Sequence, residues 1–262
     1  MSAALLRGVG GRHRGLVTAA EAGVVAGTLL LAPEAAGVPA GRWTVLVAEG
    51  APVEPARPLV EVCGSAGELA VAEDYVMGAL GFASGVATRA SGVRAAAPGG
   101  LRVVCGAWKK LPAPLKPLLR AGLAAAGVAP RLLDEAFAYV DKNAVRLLGG
   151  VAAAVAAGLA VGNGPVAVQV RCAADAVVAV RAGAGVVVVD TGVLADLSAA
   201  HAALDAAGVR RRVTLAYAGG VTRDQLTAVQ AAGADVVDVG RAILDAPLLD
   251  LRFDVVDEER RP

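Results

Sequence analysis

Apolar positions in the second half of the chain fall into short unbroken runs. Leu101–Gly106, Ala136–Asp141, Val166–Arg171, Gly185–Asp190, Arg212–Ala216 and Asp235–Gly240 are mostly valine-rich and rarely alternate with polar residues. That pattern predicts strands buried on both faces of a parallel sheet. Between the runs, Leu115–Ala126, Val145–Gly158, Ala173–Ala182, Ala195–Ala207 and Arg223–Ala232 carry helical patterns, and Gly127, Gly183, Gly208 and Gly233 follow as helix-closing residues. Six strands joined in this way by crossover helices predict a parallel α/β barrel smaller than the eight-stranded type, with an open doubly wound sheet as the alternative.

The first hundred residues read differently. Gly23–Leu31, Trp43–Ala48 and Leu59–Cys63 predict short strands between Gly/Pro turns, and a helix is expected from Gly67 to about Ala83. The expected organisation is a β-rich layer with one long helix over residues 1–98, a barrel over 99–250 entered through the Gly/Pro stretch Ala97–Gly100, and a tail over 251–262 returning to the first domain.

Composition narrows the function classes. The 262 residues are 56% hydrophobic but only 3% aromatic, with a formal net charge of +1, so no basic face argues for nucleic acid or an anionic membrane. The clusters Arg210–Arg212 and Arg260–Arg261 read as solvated surface. Cys63, Cys105 and Cys172 are widely spaced and the chain has two histidines, His13 and His201, which disfavours structural zinc or a disulfide framework and suits a reducing cytoplasm. Met1–Val9 lacks the apolar core of a secretory signal. Val151–Val161 is shorter than the roughly 20 apolar residues a bilayer requires and reads as a buried helix.

Candidate chemistry lies at two strand ends. Leu215–Val221 (L-A-Y-A-G-G-V) and Ala234–Gly240 (A-D-V-V-D-V-G) each look like a buried strand ending in glycine. Glycines there let backbone N–H groups approach a phosphate at the carboxyl face of a barrel. Gly219, Gly220 and Gly240 are the candidate phosphate ligands, with Arg241 as an addition; close helix–strand packing is the competing explanation.

An ordered series of short motifs spans nearly the whole chain. It runs V-A-G (Val25–Gly27), A-E-G-A-P-V-E (Ala48–Glu54), E-V-C-G-S-A-G-E-L (Glu61–Leu69) and A-S-G-V-A-T (Ala83–Thr88). W-K-K (Trp108–Lys110), P-R-L (Pro130–Leu132), D-K-N (Asp141–Asn143), V-V-D-T (Val188–Thr191), A-G-G-V (Ala218–Val221) and V-G (Val239–Gly240) follow. In this order the chain resembles the quinolinate phosphoribosyltransferase (nicotinate-nucleotide pyrophosphorylase) family, as a divergent member. The resemblance implies a type II phosphoribosyltransferase fold, namely an N-terminal α/β sandwich and an incomplete six-stranded barrel. It also implies transfer of phosphoribosyl from phosphoribosyl pyrophosphate (PRPP) to a pyridine carboxylate with Mg2+, in a homodimer or larger assembly that completes the active site.

The departures from the family pattern are specific. Trp108, Lys109 and Lys110 stand where the family has Arg-Lys-Thr, and Ala129, Pro130 and Arg131 where it has Asn-His-Arg. Asp141, Lys142, Asn143 and Ala144 replace Lys-Asp-Asn-His; Gln169, Val170 and Arg171 replace Glu-Val-Glu; Val189, Asp190 and Thr191 replace Leu-Asp-Asn. Ala216, Tyr217 and Ala218 replace Glu-Ala-Ser, and Asp74 stands for an arginine offered to a neighbouring subunit.

Phosphoribosyl transfer passes through a cationic sugar and needs carboxylates near ribose and metal, with cations on pyrophosphate. Asp190 is the surviving family carboxylate, hence the candidate ribose and Mg2+ partner, with helix capping as its alternative use. Lys109 and Arg131 are the candidate acceptor or pyrophosphate cations; Lys142 lies one residue out of register with the family lysine. Lys110 and Trp108 complete the candidate substrate contacts, Trp108 as a stacking surface. Loss of positive charge at Trp108, Pro130 and Asp74 argues for an acceptor with fewer carboxylates than quinolinate. Two other readings stay open: a non-catalytic phosphate-binding relative, supported by loss of the Glu-Val-Glu acids, and a generic phosphate-binding barrel enzyme. Magnesium dependence is the expected discriminator between enzyme and bare phosphate binder.

Overall fold

The computed structural model describes residues 5–6, 8–32 and 42–256. The elements run, in order, β1 (His13–Ala19), β2 (Gly23–Val24), β3 (Trp43–Val45), β4 (Pro52–Val53), β5 (Pro58–Gly64) and α1 (Ala66–Ala96). Then come β6 (Arg102–Val104), α2 (Lys116–Ala125), β7 (Ala138–Val140), α3 (Lys142–Leu147), α4 (Val151–Ala160), β8 (Val166–Val170), α5 (Ala173–Arg181) and β9 (Val186–Asp190). The chain continues through α6 (Leu194–Ala206), β10 (Thr214–Ala218), α7 (Leu226–Ala231), β11 (Val236–Asp238), α8 (Arg241–Leu244) and β12 (Leu251–Val256). The described residues group into two compact units, one within 1–92, 110–128 and 246–256, the other over 93–109 and 129–245. Residues 110–128, read from the sequence as barrel, thus group with the first unit. Arg260 and Arg261 lie outside the described residues.

The first unit is built on an antiparallel sheet in the order β12-β1-β5-β3. Every other residue of β1 from Gly15 is buried, and Val17 and Ala19 join Val60, Val62, Leu69, Val76 and Leu80 in one apolar cluster. The β12 pairing, Leu251 against Ala19 through Val256 against Arg14, ties residues 251–256 to this sheet. Helix α1 starts at a capping box: Glu68 accepts the Ser65 N–H at 2.7 Å and donates its own N–H to Ser65 Oγ. It runs on to Ala96, well beyond the Ala83 end read from the sequence. The Ser84–Thr88 stretch that looks like a helix end is used for bonding instead. Ser84 Oγ and Thr88 Oγ1 accept the N–H groups of Ala26 and Val24 at 3.0 and 2.9 Å. Any side chain at Gly85 would strike the Pro247 carbonyl. By length and composition α1 could cross a bilayer, but 56% of its apolar window is buried within the protein.

The second unit carries the parallel sheet, ordered β6-β11-β10-β9-β8-β7. From β7 to β11 each strand lies beside its sequence successor, and β6 lies beside the last of them. This is the cyclic order of a barrel, without the reversal that marks a doubly wound sheet. The seam falls between β6 and β7, where the isolated parallel bridge Val104–Ala129 continues the pairing. The barrel is therefore incomplete. Alternate residues fill its interior: Val104, Ala167, Val186, Val188, Ala216, Ala218 and Val236 form one cluster, against which Phe137 packs.

Local differences from the sequence reading have plain causes. The expected helix Val145–Gly158 is two helices, because Gly149 and Gly150 take φ of +83° and +126° between them. The Val151–Ala160 helix buries one face (Val151, Ala154, Val155 and Gly158) and is not fully buried. The strand expected at Arg212–Ala216 is Thr214–Ala218, because Arg210–Arg212 form a 3-10 turn. Gly23–Leu31 is a strand only at its first two residues.

Candidate active site at the carboxyl ends of the parallel strands

Strand alternation decides which side chains reach the barrel mouth. Continuing the inward positions of the core cluster to the carboxyl ends gives Tyr139 after Phe137, Gln169 and Arg171 after Ala167, Asp190 after Val188, and Asp238 after Val236. These residues are where a barrel carries its chemistry.

Gln169 is the hub. Its residue is 8% exposed, and all its amide functions are used. Nε2 donates to Asp190 Oδ2 at 2.7 Å and to the Tyr139 hydroxyl at 2.9 Å, while Oε1 accepts the Lys142 N–H at 2.8 Å. One amide thus fixes a carboxylate, a phenol and the first turn of α3. Asp141 caps that turn, its Oδ1 accepting the N–H groups of Asn143 and Ala144. The Tyr139 hydroxyl is pushed up to about 12, first by loss of hydration, then by the carboxylates of Asp190 and Asp238. It stays protonated, and with its oxygen occupied by Gln169 its proton remains available to another acceptor. The Phe137 ring meets Tyr139 edge-on, with centroids 6.5 Å apart.

A cleft of about 300 Å³ opens on this hub, lined by Lys142, Arg146, Gln169, Val170, Arg171, Asp190 and Thr191. Arg146 comes from α3, Arg171 follows β8, and Asp190 ends β9. The charged ends of Lys142, Arg146 and Arg171 have no ion-pair or hydrogen-bond partner among the described residues. Three unpaired cations and one oriented carboxylate make the cleft anion-seeking.

Of the residues singled out from the sequence, Lys142 and Asp190 meet in this cleft. The others do not line it. Trp108, Lys109 and Lys110 share the 3-10 turn Ala107–Lys110 after β6. The Arg131 guanidinium sits 5.1 Å from the centroid of the Phe137 ring. Gly219 has a packing reason to be glycine: its φ is +112°, and a side chain would strike the backbone of Gly192, whose own φ is +71°. Gly220, at φ +82°, has open space around its Cα. Gly240 lies against Ala107 ahead of the four-residue α8, and Arg241 is paired to Asp245 at 2.8 Å.

The sequence reading does not assign Tyr139, Arg146 or Asp238 to the site and names Gln169 and Arg171 only as departures from the family pattern. Asp238 Oδ1 accepts the Gly106 N–H at 2.8 Å, and a Cβ at Gly106 would come within 2.6 Å of its other oxygen. For the strand residues the signal is their shared inward parity; Arg146 lies on α3, outside that pattern. Arg210, read as solvated, is 14% exposed: it donates to His201 Nδ1, the Val213 and Gly233 carbonyls and Asp235.

The charge balance of the cleft, more than its donor count, disfavours a magnesium ion. Mg2+ takes one or two carboxylates along with substrate oxygens. Here the cleft has a single carboxylate, with one oxygen held by Gln169 and three unpaired cations around it. Among the described residues no three metal-ligating side chains come together.

The architecture is that of a parallel, incomplete α/β barrel with a cation-lined cleft at its strand ends. Residues 86–254 match the family model described as quinolinate phosphoribosyl transferase, C-terminal domain. That is more than half of the chain, which belongs to this family. Solved structures share the fold across both units. The nicotinate-nucleotide pyrophosphorylase of Francisella tularensis is 20% identical with a TM-score of 0.81, over 97% of this chain and 89% of its own. NadC from Streptococcus pyogenes is 19% identical with a TM-score of 0.80, over 97% and 90%. Human nicotinic acid phosphoribosyltransferase is 15% identical with a TM-score of 0.62, over 94% and 70%. No curated protein matches the chain by sequence.

Proposed function

We propose that the chain is a phosphoribosyltransferase of the quinolinate type, which joins PRPP to a heterocyclic acceptor carrying fewer carboxylates than quinolinate. The observation that supports it most is the cleft in which Asp190, fixed by Gln169, faces Lys142, Arg146 and Arg171 at the strand ends of this family's barrel. A carboxylate held in place before reaction stabilises the positive charge that develops on ribose, and fixed cations stabilise the departing pyrophosphate. The Gly219–Gly220 loop is the proposed seat of the 5′-phosphate, because Gly220 leaves its backbone open to close approach. Trp108, Lys109 and Arg131 form the proposed acceptor side, with Lys110 next to them in sequence. An indole in place of a guanidinium gives a stacking face and removes a bidentate carboxylate grip. A homodimer or larger assembly goes with this reading.

The second reading is a non-catalytic phosphate-binding relative. Gln169 and Arg171, where the family has acids, favour it. The two separate on turnover. The protein is incubated with PRPP and a panel of pyridine and other heterocyclic acceptors, and pyrophosphate release is followed. Release that requires a particular acceptor supports the transferase. Strong turnover of quinolinate would refute the altered acceptor pocket, and PRPP binding without release for any acceptor would favour the binding module.

A further inference from the structure

The replacement of two acids by Gln169 and Arg171 changes the sign of the cleft as well as its shape. A pyrophosphate group entering it meets the Lys142 ammonium and the guanidinium groups of Arg146 and Arg171, none of which has a partner among the described residues. Asp190 is the only carboxylate among the described residues on the wall, and Gln169 already holds one of its oxygens. A dication would become a fourth cation beside a single acid, whereas a polyanion would find its countercharges in place. Guanidinium groups are suited to this task, since they stay charged at any working pH and grip phosphate oxygens in pairs.

We infer that Arg171, with Lys142 and Arg146, takes over the charge-neutralising work of the divalent metal, so that PRPP binds this protein without metal. The inference rests on the phosphoribosyltransferase reading and adds to it the form of the ligand, the metal-free pyrophosphate. It also removes metal dependence as the mark that separates enzyme from binder, leaving turnover to do so. The interaction is electrostatic and sits in a cleft, so opposite charges about 4 Å apart are worth several times their value in bulk water. Reversing the charge at Arg171 therefore costs far more affinity than removing a surface lysine.

The test is calorimetric titration of the full chain with PRPP, in excess EDTA and then in excess magnesium, for the native protein and two variants. Native protein binds with dissociation constants within about threefold of each other in the two buffers. R171E loses at least about a hundredfold in affinity with an unchanged melting temperature, as expected for a side chain with no partner to lose. The double variant Q169E/R171E, which restores the family's two acids, binds only when magnesium is present. Native binding that requires magnesium overturns the inference and leaves the transferase reading standing. Undiminished binding by R171E, or metal-independent binding by the double variant, overturns it as well. A folded native protein that binds PRPP in neither buffer overturns the transferase reading itself.

Discussion

The two ends of the parallel strands treat charge in opposite ways. At the amino ends, Arg210 and Arg102 are satisfied by the protein. Arg210 reaches His201, two carbonyls and Asp235, while the other oxygen of Asp235 accepts the Leu215 N–H. Arg102 bonds the Leu132 carbonyl and Asp134. At the carboxyl ends, Lys142, Arg146 and Arg171 face one cleft with no such partners among the described residues. Charge tied up by neighbours contributes to stability; charge left without a partner in a concave site is available to a ligand. Barrels in general divide stability and chemistry between their ends in this way.

The contrast should appear in variants, beginning with the greatest effect. Replacing Lys142, Arg146 and Arg171 together by alanine should abolish detectable PRPP binding by calorimetry and leave the melting temperature within about 2 °C of native. A large drop in melting temperature would mean that these side chains have structural partners after all. R210A should do the reverse. Breaking an ion pair whose arginine is buried, together with two carbonyl bonds, costs about 2–3 kcal/mol in urea denaturation, with unchanged ligand affinity in the folded protein. Stability within error of native would contradict the assignment of that end to stability.

Q169L is expected to fall between the two. It frees the Asp190 carboxylate and the Tyr139 hydroxyl, so PRPP affinity should drop about tenfold, equivalent to about 1.4 kcal/mol. If catalysis is present, kcat should fall more than KM rises, because orientation of Asp190 matters most in the transition state. An effect on KM alone would reduce Gln169 to a scaffold residue. The smallest effect concerns alkaline pH. Tyr139 is raised to about 12 in the folded protein, against about 10 in the unfolded chain. The folded state therefore holds its proton more tightly; the corresponding stability is complete below pH 10 and is lost as pH rises toward 12. Denaturation midpoints between pH 9 and 11 should fall more steeply for native protein than for Y139F. Parallel slopes would show that Tyr139 is not shielded by burial and the nearby carboxylates.

Much of the barrel could be read from the sequence because its strands are buried on both faces and follow one another in space. Val166–Val170 and Val186–Asp190 are valine runs with little else to be. The first unit was harder. In β1, Leu16 and Val17 are adjacent and blur the alternation, and its strand neighbours come from residues 58–64 and 251–256, far along the chain. The long helix runs past Ala83 because Ser84, Gly85 and Thr88 are each used against another segment of the same unit, which the local sequence does not show. In the site, Lys142 and Asp190 were found through their neighbours in sequence. Gln169, Tyr139 and Asp238 were not, because their meaning lies in parity across different strands. Gln169 and Arg171 are both visible as departures, but only the cleft shows Arg171 beside Lys142 and Arg146.

The most direct measurement is a crystal structure of the protein grown with PRPP. The expected result has pyrophosphate oxygens within hydrogen-bond distance of Arg171 and Lys142 and the ribose beside Asp190. PRPP bound elsewhere, with the Lys142–Arg146–Arg171 cleft holding only solvent, would contradict the division of labour between the two ends of the barrel.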